Sequence, residues 1–106
     1  MSKLTPLQSS EFKSKVLEAA KPVMVDFSAT WCGPCKMLDP VLEELAADYG
    51  ETFDFYSVDV DQNSDLAMTY GVMGVPTVML FKDGEMVQRL TGYRPRKRLE
   101  ALFFGK

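Results

Sequence analysis

The sequence predicts an α/β fold, a mixed β-sheet covered by helices on both faces in three layers. Short apolar runs of strand length alternate along the chain with patterns of helical period, as crossover connections between parallel strands require. The last two strand patterns flank Lys82, Asp83, Gly84 and Glu85, a hairpin signal that adds antiparallel pairing. With 106 residues, 46% of them hydrophobic and 25% charged, the chain can bury a real core, and no repeat, low-complexity tract or linker divides the span 1–106 into more than one domain.

Each element has its own signal. Ser9 or Ser10 can cap a first helix, with Glu11 in its opening turn and Phe12, Val16, Leu17 and Ala20 on one buried face, ending before Lys21 and Pro22. Val23, Met24, Val25, Asp26 and Phe27 form the nearly continuous apolar run of a strand covered on both sides, interrupted by one acid. After the turn Ala29, Thr30, Trp31, a long helix begins near Cys32, follows Met37, Leu38, Val41, Leu42, Leu45 and Ala46 to Tyr49, and stops at Gly50. Pro34 suits its first turn, whereas Pro40 removes a backbone donor and clashes with the preceding turn, so a kink is expected there. Phe53, Phe55, Val58 and Val60 mark the next strand. Asn63 or Ser64 then caps a short helix through Leu66, Ala67 and Tyr70 that Gly71 ends. Thr77–Phe81 and Met86–Thr91 are the hairpin strands, and Pro95 opens a last helix with Leu99, Leu102 and Phe103 as its buried stripe.

Composition excludes several functions. Twelve Lys and Arg against fifteen Asp and Glu give a net charge of −3, which offers little attraction for phosphate backbones or anionic lipid, so neither nucleic acid nor a membrane is expected as a partner. The chain has no histidine, which removes imidazole bases, His-paired nucleophiles and His-ligated metals. Met1, Ser2, Lys3, Leu4, Thr5 and Pro6 show no secretory pattern, and Gly74 and Pro76 interrupt the apolar stretch from Val72 to Phe81. A cytoplasmic protein is the expectation.

The chemically informative segment is Trp31, Cys32, Gly33, Pro34, Cys35, Lys36, where a strand turns into a helix. Residues three apart on a helix lie on one face about 5 to 6 Å apart, a separation that suits a disulfide without dragging the backbone. Cys32, at the helix mouth, meets unpaired backbone N–H groups and the positive end of the helix dipole. Both stabilise a thiolate, so Cys32 is expected to be the more acidic thiol and the attacking one. Cys35, a turn further in, would be shielded and poised to resolve a mixed disulfide. Three other readings compete. A structural staple closing so short a loop gains little, a zinc or iron–sulfur site would need a second chain to complete its ligands, and a chance pair ignores the Gly and Pro between the cysteines.

At these residues the sequence resembles the thioredoxin family. The match runs from Val25 through Asp26, Phe27, Ser28, Ala29, Thr30 and Trp31 to Lys36, through Asp59, Val60 and Asp61, and through Gly74, Val75, Pro76, Thr77, Phe81, Lys82, Asp83, Gly84 and Gly92. The resemblance implies a thioredoxin fold, a five-stranded mixed sheet flanked by four α-helices, and a general protein-disulfide reductase that helps maintain cell redox homeostasis. It implies no bound cofactor and no metal. Its partners would be disulfide-containing protein substrates and a flavin-containing, NADPH-dependent thioredoxin reductase, and the protein would work as a monomer.

Carried over residue by residue, Cys32 resembles the family's nucleophile, Cys35 its resolving thiol and Asp26 its buried acid, with Gly33 and Pro34 contributing to cysteine reactivity. Burial of Asp26 in a covered strand would raise its pKa and let it exchange a proton with Cys35, unless it faces water at the strand end. Pro76 resembles the family's cis-proline, the alternative being a trans proline at a strand start. Trp31, Gly33, Pro34, Gly74, Val75, Pro76 and Gly92 would form an apolar substrate-binding surface, with Tyr70 beside it and the Val75 backbone free to pair with an extended substrate segment. A core role for Trp31 competes with contact. Lys36 reads as a solvated lysine with at most a minor effect on Cys32.

The chain also departs from the family pattern. Ser28 stands where bacterial members often have an aromatic residue, and Ser57 where they often have a lysine. Without that lysine, desolvation is expected to dominate the ionisation of Asp26, and a hydroxyl or water to relay its proton. Asp39, where small residues are common, would weaken the dipole effect or pair with Lys36. The alternative function is a thioredoxin-fold binding subunit or scaffold with incidental thiols, which Cys32→Ser would leave intact.

Overall fold

The structure, a computed structural model, describes residues 4–106. Met1, Ser2 and Lys3, part of the stretch without a secretory pattern, lie outside the described residues. Strand β1 is Thr5–Pro6, followed by a 3-10 turn over Ser9–Glu11 and a π-helical stretch over Lys13–Leu17. Strand β2, Val23–Ser28, leads into helix α1, Gly33–Tyr49; strand β3, Asp54–Asp59, leads into helix α2, Ser64–Thr69. Strands β4, Thr77–Lys82, and β5, Glu85–Thr91, precede helix α3, Arg96–Phe104. The five strands form one mixed sheet in the order β1-β3-β2-β4-β5, with β3 parallel to β1 and β2, and β4 antiparallel to β2 and β5. With the N-terminal helical segment counted, four helices flank it, which is the thioredoxin fold and the three-layer architecture expected from the sequence.

Alternation along the strands explains the layers. Strand side chains point to opposite faces in turn, so a strand apolar at every position except Asp26 and Ser28 feeds two cores. Met24 joins Val78, Leu80 and Phe55 beneath Leu38, Leu42 and Leu45 of α1 and Leu99 and Phe103 of α3. Val23, Val25 and Phe27 join Val58, Met79 and Phe81 beneath Phe12, Val16 and Leu66 on the other side. All six residues of β2 are buried as a result. The same alternation assigns Asp26, two residues after Met24, to the face that α1 covers. Among the described residues no helix is long and apolar enough to cross a membrane.

The first helix departs from expectation. It is wound irregularly, with Glu18 N–H bonding Lys13 carbonyl five residues back, and it ends at Leu17. Phe12 and Val16 are buried as expected, but Ala20 falls beyond the helix and is exposed, while Ala19 packs on the core instead. Its cap is Gln8, whose N–H donates to Glu11 Oε1 at 3.0 Å, rather than Ser9 or Ser10. Ser9 is otherwise engaged: its N–H donates to Asn63 Oδ1 at 2.9 Å and its hydroxyl to Asp65 Oδ1 at 2.7 Å, tying this segment to the start of α2. Helix α1 runs on through Pro40 as one element, although proline leaves the Lys36 carbonyl without its usual helical donor.

The β4–β5 turn is set by handedness. Asp83 has φ 52° and Gly84 φ 82°, the two positive values that a two-residue hairpin of the I′ type demands, and Lys82 pairs with Glu85 across it. A Cβ on Gly84 would stand 2.9 Å from the Leu17 carbonyl oxygen, so glycine is required by space as well as by φ. Gly84→Ala should lower the unfolding free energy by about 1–2 kcal/mol from the left-handed conformation alone, and more from the clash. Gly105, with φ 70° and open space around it, supplies the control. Urea melts in which Gly84→Ala costs no more than Gly105→Ala would contradict this account.

Candidate functional site

The site forms where β2 delivers the chain to α1. Cys32 is the N-cap residue of α1, in extended conformation at φ −92° and ψ 113°, and its sulfur accepts the Cys35 N–H at 3.2 Å. A sulfur thus takes the place of the oxygen that usually satisfies an unpaired donor in the first turn. Cys32 and Cys35 are joined as a disulfide, with Cα atoms 5.3 Å apart. Both are buried, Cys32 at 4% exposure and Cys35 at 1%, and they pack with Ala29 against Val60 and Val75. The backbone donor, the dipole of a 17-residue helix and the lesser burial all favour negative charge on Cys32 over Cys35 once the bond is reduced.

A second loop closes over the pair. The Val75–Pro76 peptide bond is cis, and the Val75 carbonyl oxygen lies 3.6 Å from Cys32 Sγ. Several bonds fix this loop: Gly92 N–H donates to the Pro76 carbonyl at 2.7 Å, and Thr77 hydroxyl to the Gly74 carbonyl at 2.6 Å. The hydroxyls of Thr77 and Thr91 stand 3.0 Å apart across the β4–β5 ladder. Gly33 and Pro34 occupy the exposed first turn of α1. Trp31 is 68% exposed, so a core role is ruled out, and its indole N–H donates to Asp61 Oδ2 at 2.7 Å. Trp31, Val60, Val72, Met73, Gly74 and Val75 line an open apolar cavity of about 160 Å³. Tyr70 is not part of it, because its ring packs with Phe12 and Phe81 in the core on the α2 side.

Residues without a sequence-level signal complete the rim. Asp61 holds the Trp31 indole from 30 positions away. Arg89 on β5 reaches the end of α2, donating through Nη1 to the Tyr70 carbonyl at 2.8 Å and through Nη2 to the Gly71 carbonyl at 3.2 Å. Met73, 98% exposed, stands on the loop that leads from α2 to Val75. No local pattern announces such contacts. Asp61 fell within the family-like stretch but carried no role, and an isolated Arg or Met in sequence reads as surface.

Asp26 lies under α1 at 2% exposure, beside Ser57 of β3 in register, and neither carboxylate oxygen has a hydrogen-bond partner among the described residues. Desolvation raises its pKa to about 7, with the charge of Asp39 adding to the rise. Desolvation therefore dominates, as expected where no lysine stands at position 57. The Ser57 hydroxyl, also enclosed, makes no hydrogen bond to it. Asp39 forms no ion pair with Lys36; it is buried, and burial raises its pKa too, with the positive amino terminus opposing the rise and Glu43 adding to it. Among the described residues no group of three or more Cys, Asp and Glu side chains is arranged to hold a metal.

Comparison with known proteins agrees with the geometry. The sequence profile of the family described as Thioredoxin matches residues 3–103. The chain is 48% identical over 96 residues to a thioredoxin of Staphylococcus epidermidis, covering 91% of this chain and 90% of that protein. It is 47% identical, with the same coverage, to a thioredoxin of Staphylococcus aureus. To the chloroplastic Thioredoxin M4 of Arabidopsis thaliana it is 45% identical over 94 residues, 89% of this chain and 49% of that protein.

The raised pKa of Asp26 bears on stability. Between about 4, where the unfolded carboxyl titrates, and about 7, the folded protein binds more protons than the unfolded chain, so stability falls as pH rises through this window and levels off above it. A displacement of about three units corresponds to roughly 4 kcal/mol. Relative to Asp26→Asn, which cannot ionise, the wild-type protein should lose up to about that much between pH 4 and pH 7.5. Denaturant melts across this range that show a constant difference would mean that Asp26 ionises freely.

Proposed function

The chain belongs to the thioredoxin family and is a protein-disulfide oxidoreductase, and from that premise we propose how its residues divide the exchange of a dithiol for a disulfide. The observation that carries this reading is the Cys32–Cys35 bridge at the head of α1, with the Cys35 N–H aimed at Cys32 Sγ. In the reduced protein the Cys32 thiolate attacks one sulfur of a substrate disulfide, forming a mixed disulfide and expelling a substrate thiolate. Cys35 gives its proton to the Asp26 carboxylate, by way of a hydroxyl or water near Ser57, and its thiolate attacks Cys32 Sγ. The Cys32–Cys35 bond forms, the second substrate thiolate leaves, and two electrons have passed to the substrate. A buried acid with its pKa near 7 is suited to this transfer, because it is available in both forms near neutral pH.

The exposed Trp31, the first turn at Gly33 and Pro34, and the loop of Gly74, Val75 and Pro76 fastened by Gly92 form the surface on which we place the substrate. Its apolar character and shallow shape suit many protein segments, and the Val75 backbone offers an edge for an extended one. The protein works as a general reductase of protein disulfides, and an NADPH-dependent flavoenzyme, thioredoxin reductase, returns it to the dithiol. A reducing compartment fits that cycle, and we place it in the cytoplasm, where it serves redox homeostasis as a monomer.

Variants separate the roles. Cys32→Ser should abolish reduction of a disulfide-bonded protein substrate, and Cys35→Ser should accumulate the mixed disulfide, visible as a mass adduct of Cys32. Alkylation of the reduced protein near pH 7 should modify Cys32 well before Cys35. Asp26→Asn should slow resolution of the mixed disulfide more than its formation in rapid-mixing experiments. Preferential alkylation of Cys35, or equal rates for the Asp26 variant and the wild type in both steps, would overturn the corresponding assignment.

A further inference from the structure

A second buried acid shares the inner side of the redox helix, and the steps above do not use it. Asp39 lies four residues after Cys35 on α1, between Leu38 and Leu42 in the helical sweep that packs on Met24 and Val78. Its Oδ1 is enclosed and has no hydrogen-bond partner among the described residues. Among the described residues the only other enclosed and unpartnered side-chain atoms are both carboxylate oxygens of Asp26 and the Ser57 hydroxyl oxygen. Alternation puts Asp26 and its register partner Ser57 on the face of the sheet that α1 covers. The four orphan oxygens therefore belong to one layer, between α1 and the sheet face it covers.

The charges that act on Asp39 oppose one another, the positive amino terminus favouring its carboxylate and Glu43 disfavouring it. Lys36 on α1 is exposed and forms no ion pair with Asp39, and Glu43 adds negative charge one turn further on. Strand β4 and helix α3 contribute only Val78, Leu80, Leu99 and Phe103 to the cluster. Asp59, two residues beyond Ser57, is occupied by the Asp61 N–H at 2.9 Å. Two carboxyl groups in one covered layer do not ionise independently: the first to lose its proton holds back the second. Asp39, at 9% exposure against 2% for Asp26, is the better hydrated and ionises first. Its charge then adds to the burial that already raises the pKa of Asp26.

We propose that Asp39 is a positioning residue of the exchange reaction, whose carboxylate on the inner side of α1 determines when Asp26 holds the proton it trades with Cys35. This rests on the reading of Asp26 as the acceptor of that proton. In the balanced step, the Cys35 proton moves to the Asp26 carboxylate, the Cys35–Cys32 bond forms, and the Cys32–substrate bond breaks with its electron pair leaving on the substrate sulfur. Asp39 takes no part in bond making. It sets the pH at which Asp26 is free to accept.

The test follows the Asp26 carboxyl carbon by NMR through a pH titration of the oxidised protein, in the wild type, Asp39→Asn and Asp39→Ala. The alanine variant removes the charge without adding a donor, and the asparagine variant keeps the volume. Both should lower the Asp26 midpoint by about half a unit or more, and the acid limb of the pH profile for mixed-disulfide resolution should move by the same amount. Asp39→Glu should restore both. In an Asp26→Asn background, Asp39→Ala should leave the resolution profile where it was. An unmoved Asp26 midpoint in the folded Asp39 variants, with Asp26→Asn still slow in resolution, overturns the role of Asp39 alone. A resolution rate indifferent to Asp26→Asn removes Asp26 from the mechanism and the role of Asp39 with it.

Discussion

The contact between the Cys35 N–H and the Cys32 sulfur joins the fold to the chemistry. A helix needs its first donors satisfied, and a thiolate needs donors and positive potential; placing Cys32 at the N-cap answers both needs with one atom. The arrangement holds only if β2 ends where it does, with Ser28 and Ala29 still buried and Trp31 already outside. That in turn requires the central strand to be clamped between β3 and β4 from Val23 to Phe27, with Ser28 held by β3 alone. The Cys32 sulfur is therefore placed by the whole sheet, and the four residues from Cys32 to Cys35 supply only its last turn.

The same clamping explains why the strand carries an acid. A carboxyl group in that layer weakens the protein at neutral pH, since neither of its oxygens is compensated by a hydrogen bond. The fold tolerates this because Met24 and Val78 beside it, and Leu38 and Leu42 above it, bury enough apolar surface to offset the loss. Stability is given up at one position, and a carboxyl group that titrates near neutrality is obtained there.

Most of the architecture was legible because apolar periodicity is a local property. Strands β2 to β5 and helices α1 and α3 follow stripes that the sequence displays openly, and the Asp83–Gly84 turn follows from residues that accept positive φ. Strand β1 was not legible, because Thr5 and Pro6 are two exposed residues with no apolar alternation, and only the family resemblance implied a fifth strand. The irregular winding of the first helix was missed for a related reason: Phe12 and Val16 fit regular and widened turns equally well, and the bond from Glu18 to Lys13 decides between them. In the site, the cysteines could be read from spacing, whereas Asp26 came from the family resemblance with strand burial in its support. The cis bond at Pro76 came from resemblance alone. The holds of Asp61 on Trp31 and of Arg89 on the end of α2 join residues 30 and 18 positions or more apart, and they leave no trace in any local window.

The Arg89 contact has a further meaning for the mouth of the site. Helix α2 has only six residues, too few to keep its shape unaided, yet the loop that follows it forms one wall of the groove beside the cysteines. A planar cation rooted in the sheet holds the turn just after that helix by the Tyr70 and Gly71 carbonyls, so the wall takes its position from β5 as well as from the N–H bonds of Tyr70, Gly71 and Val72 back to the helix. Strand β5 and the short helix thus share the task of setting the width of the opening. The sheet that sets the depth of the sulfur also gauges the aperture through which it is reached.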